Sequence, residues 1–389
     1  MSSVLLIDTN FSSGPIYKYL VSLHHKVYVV GGNPNDFLAK SLPNYINIDY
    51  TNLKELKKLI HSLGIEYIIP GCNDRSYEVC SDLNASSAFY GIDTAKATTT
   101  LNNKKKFREF AIKRGIPVPR LLDSSDFSNL LGQSVVIKPV DAFSGKGITV
   151  LHFPTYKKIE RAIEHAKRAS RTSTYIAEEF VDGQLYSHSA FISNGKVTVD
   201  FIVAEFSSVN PYVVDTSYLD NEFPQKILQQ IREYIQRIVL ALDLRDGLIH
   251  TQFIRRGQDF WLIEITRRCP GDLYSKLIEI STGYKYAENY TKQFLGKRDI
   301  DAHRAEKSVQ LVIRHTITQE AQRIFLNIDF HQPASIIKFL PVAIAGDQLK
   351  PSPLGRVGIL FAQAESVLQR DEMVRLILQR NFYSLEYLI

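Results

Sequence analysis

The sequence predicts an α/β protein whose N-terminal region is a parallel sheet covered by helices. In residues 1–95, short apolar segments of strand length alternate with segments of helical periodicity. Strands that alternate with helices are typical of a parallel sheet with helices on both faces. Beyond residue 130, several segments alternate apolar and polar residues and are joined by short turns, which indicates antiparallel strands.

The composition excludes several classes of protein. The chain has 389 residues, of which 44% are hydrophobic and 23% are charged. These values are ordinary for a globular protein and exclude a disordered, collagenous or coiled-coil chain. The length predicts two or three domains. Because the longest apolar runs are only strand-sized, we expect neither a membrane span nor a secretory leader.

The net charge bears on the class of binding partner, and the cysteine content bears on the cellular location. The 47 Lys and Arg residues exceed the 41 Asp and Glu residues by six. An anionic small substrate such as a nucleotide explains this mild excess as well as nucleic acid does, and we expect no nucleic-acid partner. Cys72, Cys80 and Cys269 are too few for a disulfide framework and match no zinc spacing, so a cytoplasmic location is expected.

The first quarter of the chain supplies the elements of the N-terminal sheet. Strands are predicted at residues 4–7, 27–30 and 67–69, and helices at 16–23 and 53–60. The first turn lacks the G-x-G-x-x-G pattern of dinucleotide sites. Asn73 and Asp74 follow the third strand, at the edge where open parallel sheets bind ligands. We favour a solvated loop with a helix N-cap for this segment.

The remaining elements alternate less regularly. Helices are predicted at residues 104–113, 159–169, 223–242 and 371–379, and strands at 135–139, 148–151, 175–181, 189–191, 197–204, 309–313 and 335–340. Gly115 ends the first of these helices, and two prolines prevent it from resuming.

Lys138 and the turn that follows it form the first candidate site. Lys138 lies near the end of an otherwise apolar strand, where a lysine must either reach solvent or meet an anion. Ser144 and Gly145-Lys146-Gly147 come shortly after it. Glycines on both sides of a lysine allow backbone amides to approach a phosphate closely. The spacing is not that of a P-loop, and for the turn alone a plain hairpin is the favoured interpretation.

A hairpin at residues 250–266 forms the second candidate site. A three-residue loop at 257–259 would place Gln252 opposite Glu264 and His250 opposite Thr266, on a face shared with Ile254, Phe260 and Leu262. A carboxylate beside an amide oxygen is a ligand set that Mg²⁺ takes. An ion pair of Glu264 with Arg268 or His250 explains the residues equally well.

Two consecutive arginines continue the second strand of this hairpin. Arg267 and Arg268 precede a Pro-Gly turn, which would fix them as a cationic corner suited to a phosphate or a carboxylate. The alternative is an ordinary surface turn. Arg314, at a later strand, could hold a carboxylate, but a surface arginine is the favoured interpretation there.

Taken in order, these segments resemble the ATP-grasp ligases over about residues 1–300. Five stretches carry the resemblance: the helix and G-I-P-x-P entry at 103–119, the nucleotide-lysine strand at 136–139, the glycine turn at 144–147, the adenine hinge at 178–181 and the E-x-N-x-R-like strand at 264–268. The resemblance implies an N-terminal parallel α/β (pre-ATP-grasp) domain at 1–97, a two-lobed ATP-grasp domain at 98–300 with a small lobe at about 118–188, and a C-terminal α/β region at 301–389 that completes the substrate side.

The resemblance also assigns roles to residues. Lys104, Lys138, Ser144, Gly145, Gly147, Glu178, Glu179 and Val181 would bind the nucleotide; Glu264, Gln252 and Thr266 would hold the metal; Arg268 and Lys146 would act on the reacting phosphoryl group. Thr266 stands where the family has asparagine, and no acid occupies the ribose position near Leu185. These departures bear on metal affinity and on the number of ions.

The function implied by the resemblance is ATP-dependent ligation. ATP would phosphorylate a carboxylate to an acyl phosphate, which an amine, such as an amino acid, would then attack, with release of ADP and phosphate. The cofactors would be ATP and Mg²⁺, with Mn²⁺ as an alternative, and the partners small-molecule carboxylate and amine substrates. A homodimer, a purine-pathway carboxylase or formate-using enzyme, and a nucleotide-binding regulatory protein without turnover stay open.

Overall fold

A computed structural model describes residues 2–85, 88–143, 145–297 and 309–388. The strands are β1 Ser3–Ile7, β2 Lys26–Gly31, β3 Tyr45–Asn47, β4 Tyr67–Pro70, β5 Leu121–Leu122, β6 Val135–Pro139, β7 Thr149–Leu151, β8 Tyr175–Glu179, β9 Gln184–Ser193, β10 Lys196–Phe206, β11 Thr216–Leu219, β12 Gly247–Arg256, β13 Asp259–Thr266, β14 Leu311–Ile317, β15 Arg323–Phe330, β16 Ile336–Pro341, β17 Gln348–Leu349, β18 Gly358–Ala364 and β19 Tyr383–Tyr387. The helices are α1 Gly14–Ser22, α2 Phe37–Ser41, α3 Leu53–Ser62, α4 Asp74–Leu83, α5 Ala95–Asn102, α6 Lys104–Ile112, α7 Tyr156–Ala169, α8 Gln225–Leu242, α9 Tyr274–Thr282, α10 Tyr286–Lys292 and α11 Val367–Leu378.

The N-terminal region is the parallel sheet that the sequence predicts. Within the described residues it has four strands in the order β3-β2-β1-β4, and every pairing is parallel. Most residues of β1, β2 and β4, such as Leu5 and Ile69, are buried, whereas the edge strand β3 is partly exposed. The predicted mixed α/β fold is therefore confirmed, and β4 ends beside the start of α4.

Antiparallel sheets make up the rest of the described structure. A four-stranded sheet, β5-β8-β6-β7, forms the small lobe. An eight-stranded sheet has the order β13-β12-β9-β10-β11-β14-β18-β16. The C-terminal strands β14, β16 and β18 therefore extend the sheet that carries the hairpin β12–β13, and a three-stranded sheet, β17-β15-β19, adjoins them. None of the helices in these described ranges is long and apolar enough to cross a membrane.

The domain boundaries themselves stay predictions. The one at residue 97 falls inside α5, and the one at residue 300 lies outside the described residues. Most predicted elements of the N-terminal and central regions have the bounds expected to within about three residues.

The hairpin β12–β13 differs from its prediction in an instructive way. Arg256 pairs with Asp259, so the loop has two residues and not three. Ile263 is then an extra residue on β13, a β-bulge that restores the predicted pairing of Gln252 with Glu264. The predicted facing is consequently wrong for the apolar residues: Phe260 and Leu262 lie with Phe253 in the core, on the face opposite Glu264.

A buried ion pair joins the N-terminal region to the end of β13. Arg267 Nε lies 2.7 Å from Asp93 Oδ2, and both side chains are almost fully enclosed. Arg267 Nη1 donates to the carbonyl oxygen of Leu248, and Tyr77 donates its hydroxyl hydrogen to Asp93. Both members of the pair therefore have additional hydrogen-bond partners, which a buried ion pair requires.

We predict that Asp93→Ala lowers the free energy of unfolding by about 3–5 kcal/mol, because it leaves the Arg267 guanidinium buried without its counter-charge. Urea denaturation followed by circular dichroism measures the change. Glu164→Ala is the control, since it removes an ion pair whose partners are 77% and 57% exposed, and such pairs contribute little. Equal, small shifts for both variants would contradict the argument.

Candidate active site

Three charged side chains meet in the interior of the small lobe. Lys138 on β6 places Nζ 2.6 Å from Glu178 Oε2 on β8, and Arg108 on α6 places Nε 2.7 Å from Glu178 Oε1. The strand register brings this about, because Val136 pairs with Glu178 and Lys138 lies two residues further on the same face. The predicted nucleotide lysine is thus anchored by a buried carboxylate.

Burial sets the protonation of this triad. It lowers the pKa of Lys138 to about 8, against the opposing attraction of Glu178. Burial would raise the pKa of Glu178, but Arg108 and Lys138 outweigh it and hold that pKa below its ordinary value. Near neutral pH the triad therefore carries two cations and one anion, and this excess of positive charge suits a phosphate.

Lys104 and the glycine turn approach the triad from the start of α6 and the end of β6. Lys104 is buried, and its Nζ donates to the carbonyl oxygen of Ala142 at 2.7 Å. Its backbone amide donates to the carbonyl oxygen of Val140, which fixes the start of α6 against the chain that leads into the turn. Two predicted nucleotide lysines are therefore brought to one side of the lobe.

The turn itself requires its glycines. Gly145 and Gly147 have φ values of +71° and +75°, and a Cβ on Gly145 would lie 2.6 Å from the carbonyl oxygen of Tyr212. Lys146 is exposed between them. A cavity of about 490 Å³ opens here, lined by this turn and by Tyr212 and Ser352 among others. The remaining predicted turn residue, Ser144, lies outside the described residues.

The predicted hinge residues have distinct environments. The carboxylate of Glu179 accepts a hydrogen bond from the backbone amide of Arg120 at 3.0 Å, so it ties β8 to the residue that precedes β5. Val181 is buried just after β8. The side chain of Glu178 is committed to Lys138 and Arg108. Contact with a nucleotide by Glu178, Glu179 and Val181 stays a prediction.

The predicted metal ligands lie on the hairpin β12–β13. Gln252 and Glu264 are direct cross-strand partners. Neither Arg268 nor His250 pairs with Glu264, whose carboxylate has no hydrogen-bond or ion-pair partner in the described part of the chain. Gln252 donates its Nε2 hydrogen to Glu205 Oε2 at 2.7 Å, which leaves its carbonyl oxygen without a partner among the same residues. A free carboxylate oxygen beside a free amide oxygen fits a hard divalent cation.

Thr266 and Arg268 are held by a residue from the N-terminal region. Asp74 accepts a hydrogen bond from Thr266 Oγ1 at 2.9 Å and two from Arg268, at 3.0 Å to Oδ1 and 2.9 Å to Oδ2. Burial would raise the pKa of Asp74, but Arg268 outweighs it and keeps the carboxylate ionised. The Thr266 hydroxyl uses its hydrogen in this contact, and its role as a third metal ligand stays a prediction.

The structure corrects two interpretations and adds residues that the sequence did not reveal. Asp74 is 4% exposed and so does not lie in a solvated loop, although Asn73 is the N-cap of α4 as predicted. Arg314 is not a surface arginine: it is 3% exposed and donates to Ser217 Oγ at 2.9 Å. The position of Asp74 after β4 was a usable signal, whereas nothing in the sequence marked Glu205 or Arg108.

The chemistry of the site follows from these positions. The described residues contain no group of three or more His, Cys, Asp or Glu side chains arranged to hold a metal ion. Glu264 and Gln252 together still offer two oxygen ligands, which is the small protein share that Mg²⁺ uses when phosphates complete its shell. The site therefore combines oxygen ligands, an arginine and two buried lysines.

Comparison with known proteins agrees with this geometry. Residues 131–276 match the family model described as an ATP-grasp domain. A relative, the formate-dependent phosphoribosylglycinamide formyltransferase of Paraburkholderia xenovorans (strain LB400), is 25% identical over 239 residues, which are 57% of this chain and 57% of that protein. The chain thus matches little more than half the length of this relative.

Solved structures match the whole chain. The L-amino acid ligase from Bacillus licheniformis superposes with a TM-score of 0.79 at 16% identity, covering 100% of this chain and 99% of that one. The phosphoribosylglycinamide synthetase from Anaerococcus prevotii superposes with a TM-score of 0.75 at 15% identity, covering 99% of both chains. The chain therefore carries an ATP-grasp domain in residues 131–276 and has the fold of the ATP-grasp ligases.

Proposed function

We propose that this protein is an ATP-dependent ligase that activates a carboxylate as an acyl phosphate and couples it to an amine. The observation that carries the proposal is the carboxylate of Glu264, which has no hydrogen-bond or ion-pair partner among the described residues and lies opposite Gln252. It is two positions before Thr266 and four before Arg268. Oxygen ligands beside an arginine are suited to charge that develops on a transferring phosphoryl group.

Each residue has a role that its environment supports. Lys138 and Lys104 supply positive charge for the phosphates of ATP, and the amides of the Gly145–Gly147 turn approach them closely. Glu264 and Gln252 would hold Mg²⁺, which when bound neutralises phosphate charge. Arg268, fixed by Asp74, stabilises charge on the phosphoryl group and on the tetrahedral intermediate that the amine forms.

The substrates follow from this chemistry as classes. Two carboxylates are worth testing first. One is formate, which the name of the relative from Paraburkholderia contains, and the other is an amino acid, which the name of the similar ligase contains.

We also propose a cytoplasmic location, small-molecule partners and a homodimer for this chain. A regulatory protein that binds nucleotide without turnover is the second candidate, and it is supported by threonine at position 266, where the ATP-grasp resemblance expects asparagine.

We predict that MgATP stabilises the protein against heat and that the effect requires the divalent cation. Ligand at about 100 times its dissociation constant adds about 2.7 kcal/mol to the free energy of unfolding. Differential scanning fluorimetry with ATP, with and without chelator, measures the shift. NAD serves as the control, since the first turn lacks a dinucleotide pattern. An unchanged melting temperature with saturating MgATP would exclude both candidate functions.

We predict that MgATP affinity falls as the pH rises through about 8. The depressed pKa of Lys138 means that its ammonium is charged near pH 7 and is lost in the free protein above pH 8. If binding requires one proton on Lys138, the affinity for MgATP falls by up to about tenfold between pH 7 and pH 9. Isothermal titration calorimetry at several pH values measures this affinity. Lys138→Met is the control: it binds weakly at pH 7 and shows no such dependence. The same slope in both proteins would assign the proton to another group.

We predict that the nucleotide products are ADP and phosphate and that hydroxylamine traps the activated acid as a hydroxamate. The glycine turn, Arg268 and the oxygen ligands are arranged for charge at the γ-phosphoryl group. A panel of carboxylates, formate and the amino acids included, is incubated with MgATP and an amine, and ADP release is measured. AMP and pyrophosphate as stoichiometric products would refute acyl phosphate chemistry. ATP binding without ADP release across the panel would favour the regulatory protein.

A further inference from the structure

Gln252 lies between two carboxylates on one face of the eight-stranded sheet. Glu264 on β13 is its direct partner on one side. On the other side, β9 separates β12 from β10, which carries Glu205. Gln252 Nε2 reaches across to Glu205 Oε2 at 2.7 Å, and Glu205 is 4% exposed. The amide is therefore fixed from the side that faces away from Glu264.

The two ends of an amide are not equivalent. Its nitrogen only donates hydrogen bonds, and its oxygen only accepts them or binds a cation. A carboxylate is an acceptor, so Glu205 selects the nitrogen end of Gln252. The oxygen end is then left without a hydrogen-bond partner in the described structure, on the side of the free Glu264 carboxylate. Without Glu205, either end of the amide could point toward Glu264.

We propose that Glu205 is a positioning residue: it turns the carbonyl oxygen of Gln252 toward Glu264, and these two oxygens form the protein's share of a site for a single divalent cation. The inference rests on the proposed function, since the cation is the one that would accompany ATP. The Thr266 hydroxyl donates its hydrogen to Asp74 and lies 3.4 Å from the amide nitrogen of Arg268, whereas the oxygens of Gln252 and Glu264 have no hydrogen-bond partner among the described residues.

Glu205 also orients a ligand that carries no charge of its own. A glutamine brings an oxygen ligand without charge, and Glu205 lies directly behind it as the acceptor of its nitrogen. Ion-ligating groups are commonly oriented by a neighbouring hydrogen-bond acceptor, whose loss weakens metal affinity by about 10–100-fold. Burial raises the pKa of Glu205, and hydrogen bonds from Ser187 and Gln252 oppose the rise.

The test measures Mn²⁺ binding by electron paramagnetic resonance in the presence of ADP, in a double-mutant cycle. Glu205→Leu, which removes the acceptor, is compared with the wild type, and the same change is made in a Gln252→Leu background. If Glu205 acts through the amide, Glu205→Leu weakens Mn²⁺ binding by about tenfold or more in the first pair and by less than about twofold in the second. ADP affinity without metal stays the same in all four proteins.

Each outcome bears on the proposal. Equal losses in both backgrounds would show that Glu205 acts only through its charge, and an unchanged affinity in the first pair would show that it does not act; either overturns the proposal. Glu205→Asp, which draws the acceptor back by one methylene, gives a second measurement if Glu205→Leu does not fold. An intermediate loss is expected in the protein that keeps Gln252 and no loss in the Gln252→Leu background. A wild-type protein that binds neither ADP nor Mn²⁺ would instead overturn the proposed function.

Discussion

The geometry of the candidate site depends on two arginine–aspartate pairs at the end of β13. Arg267 pairs with Asp93 and Arg268 pairs with Asp74, and both aspartates come from the N-terminal region. A buried charge without its partner is strongly unfavourable, so Arg267, which is fully enclosed, cannot keep its position unless the N-terminal region is docked. The N-terminal sheet is therefore part of the site: it fixes the direction of Arg268 and engages the Thr266 hydroxyl.

The second constraint is the carboxylate of Glu178 between Lys138 and Arg108. Arg108 also donates to the carbonyl oxygen of Ile263, the residue of the β-bulge, at 2.8 Å. A single side chain of α6 thus contacts both the lysine-bearing small lobe and the strand of the metal ligands. Because the bulge decides that Glu264 and Leu262 face opposite ways, a contact at the bulge ties the orientation of the metal ligand to the position of the nucleotide lysine.

The sequence predicted the positions of the strands better than it predicted the contacts between distant segments. The pairing of Gln252 with Glu264 was predicted correctly although the loop was one residue too long, because the bulge at Ile263 compensates for the shorter turn. Alternation cannot reveal a bulge, since it assumes an uninterrupted period of two. Asp74 and Thr266 are 192 positions apart, and no local pattern predicts that they meet.

The residues that the sequence did not single out, Glu205 and Arg108, are partners of other polar or charged groups. The residues that it did single out were chiefly glycines, lysines, arginines and the expected oxygen ligands, whose types alone suggest binding of phosphate and metal. What types cannot show is which of these groups is already satisfied inside the protein. Asp74 satisfies Arg268, Glu178 satisfies Lys138 and Glu205 satisfies the nitrogen of Gln252, whereas Glu264 has no such partner among the described residues. The unsatisfied group is therefore the one that most directly calls for a cation, and the acidic partners around it determine where that cation and the phosphates can lie.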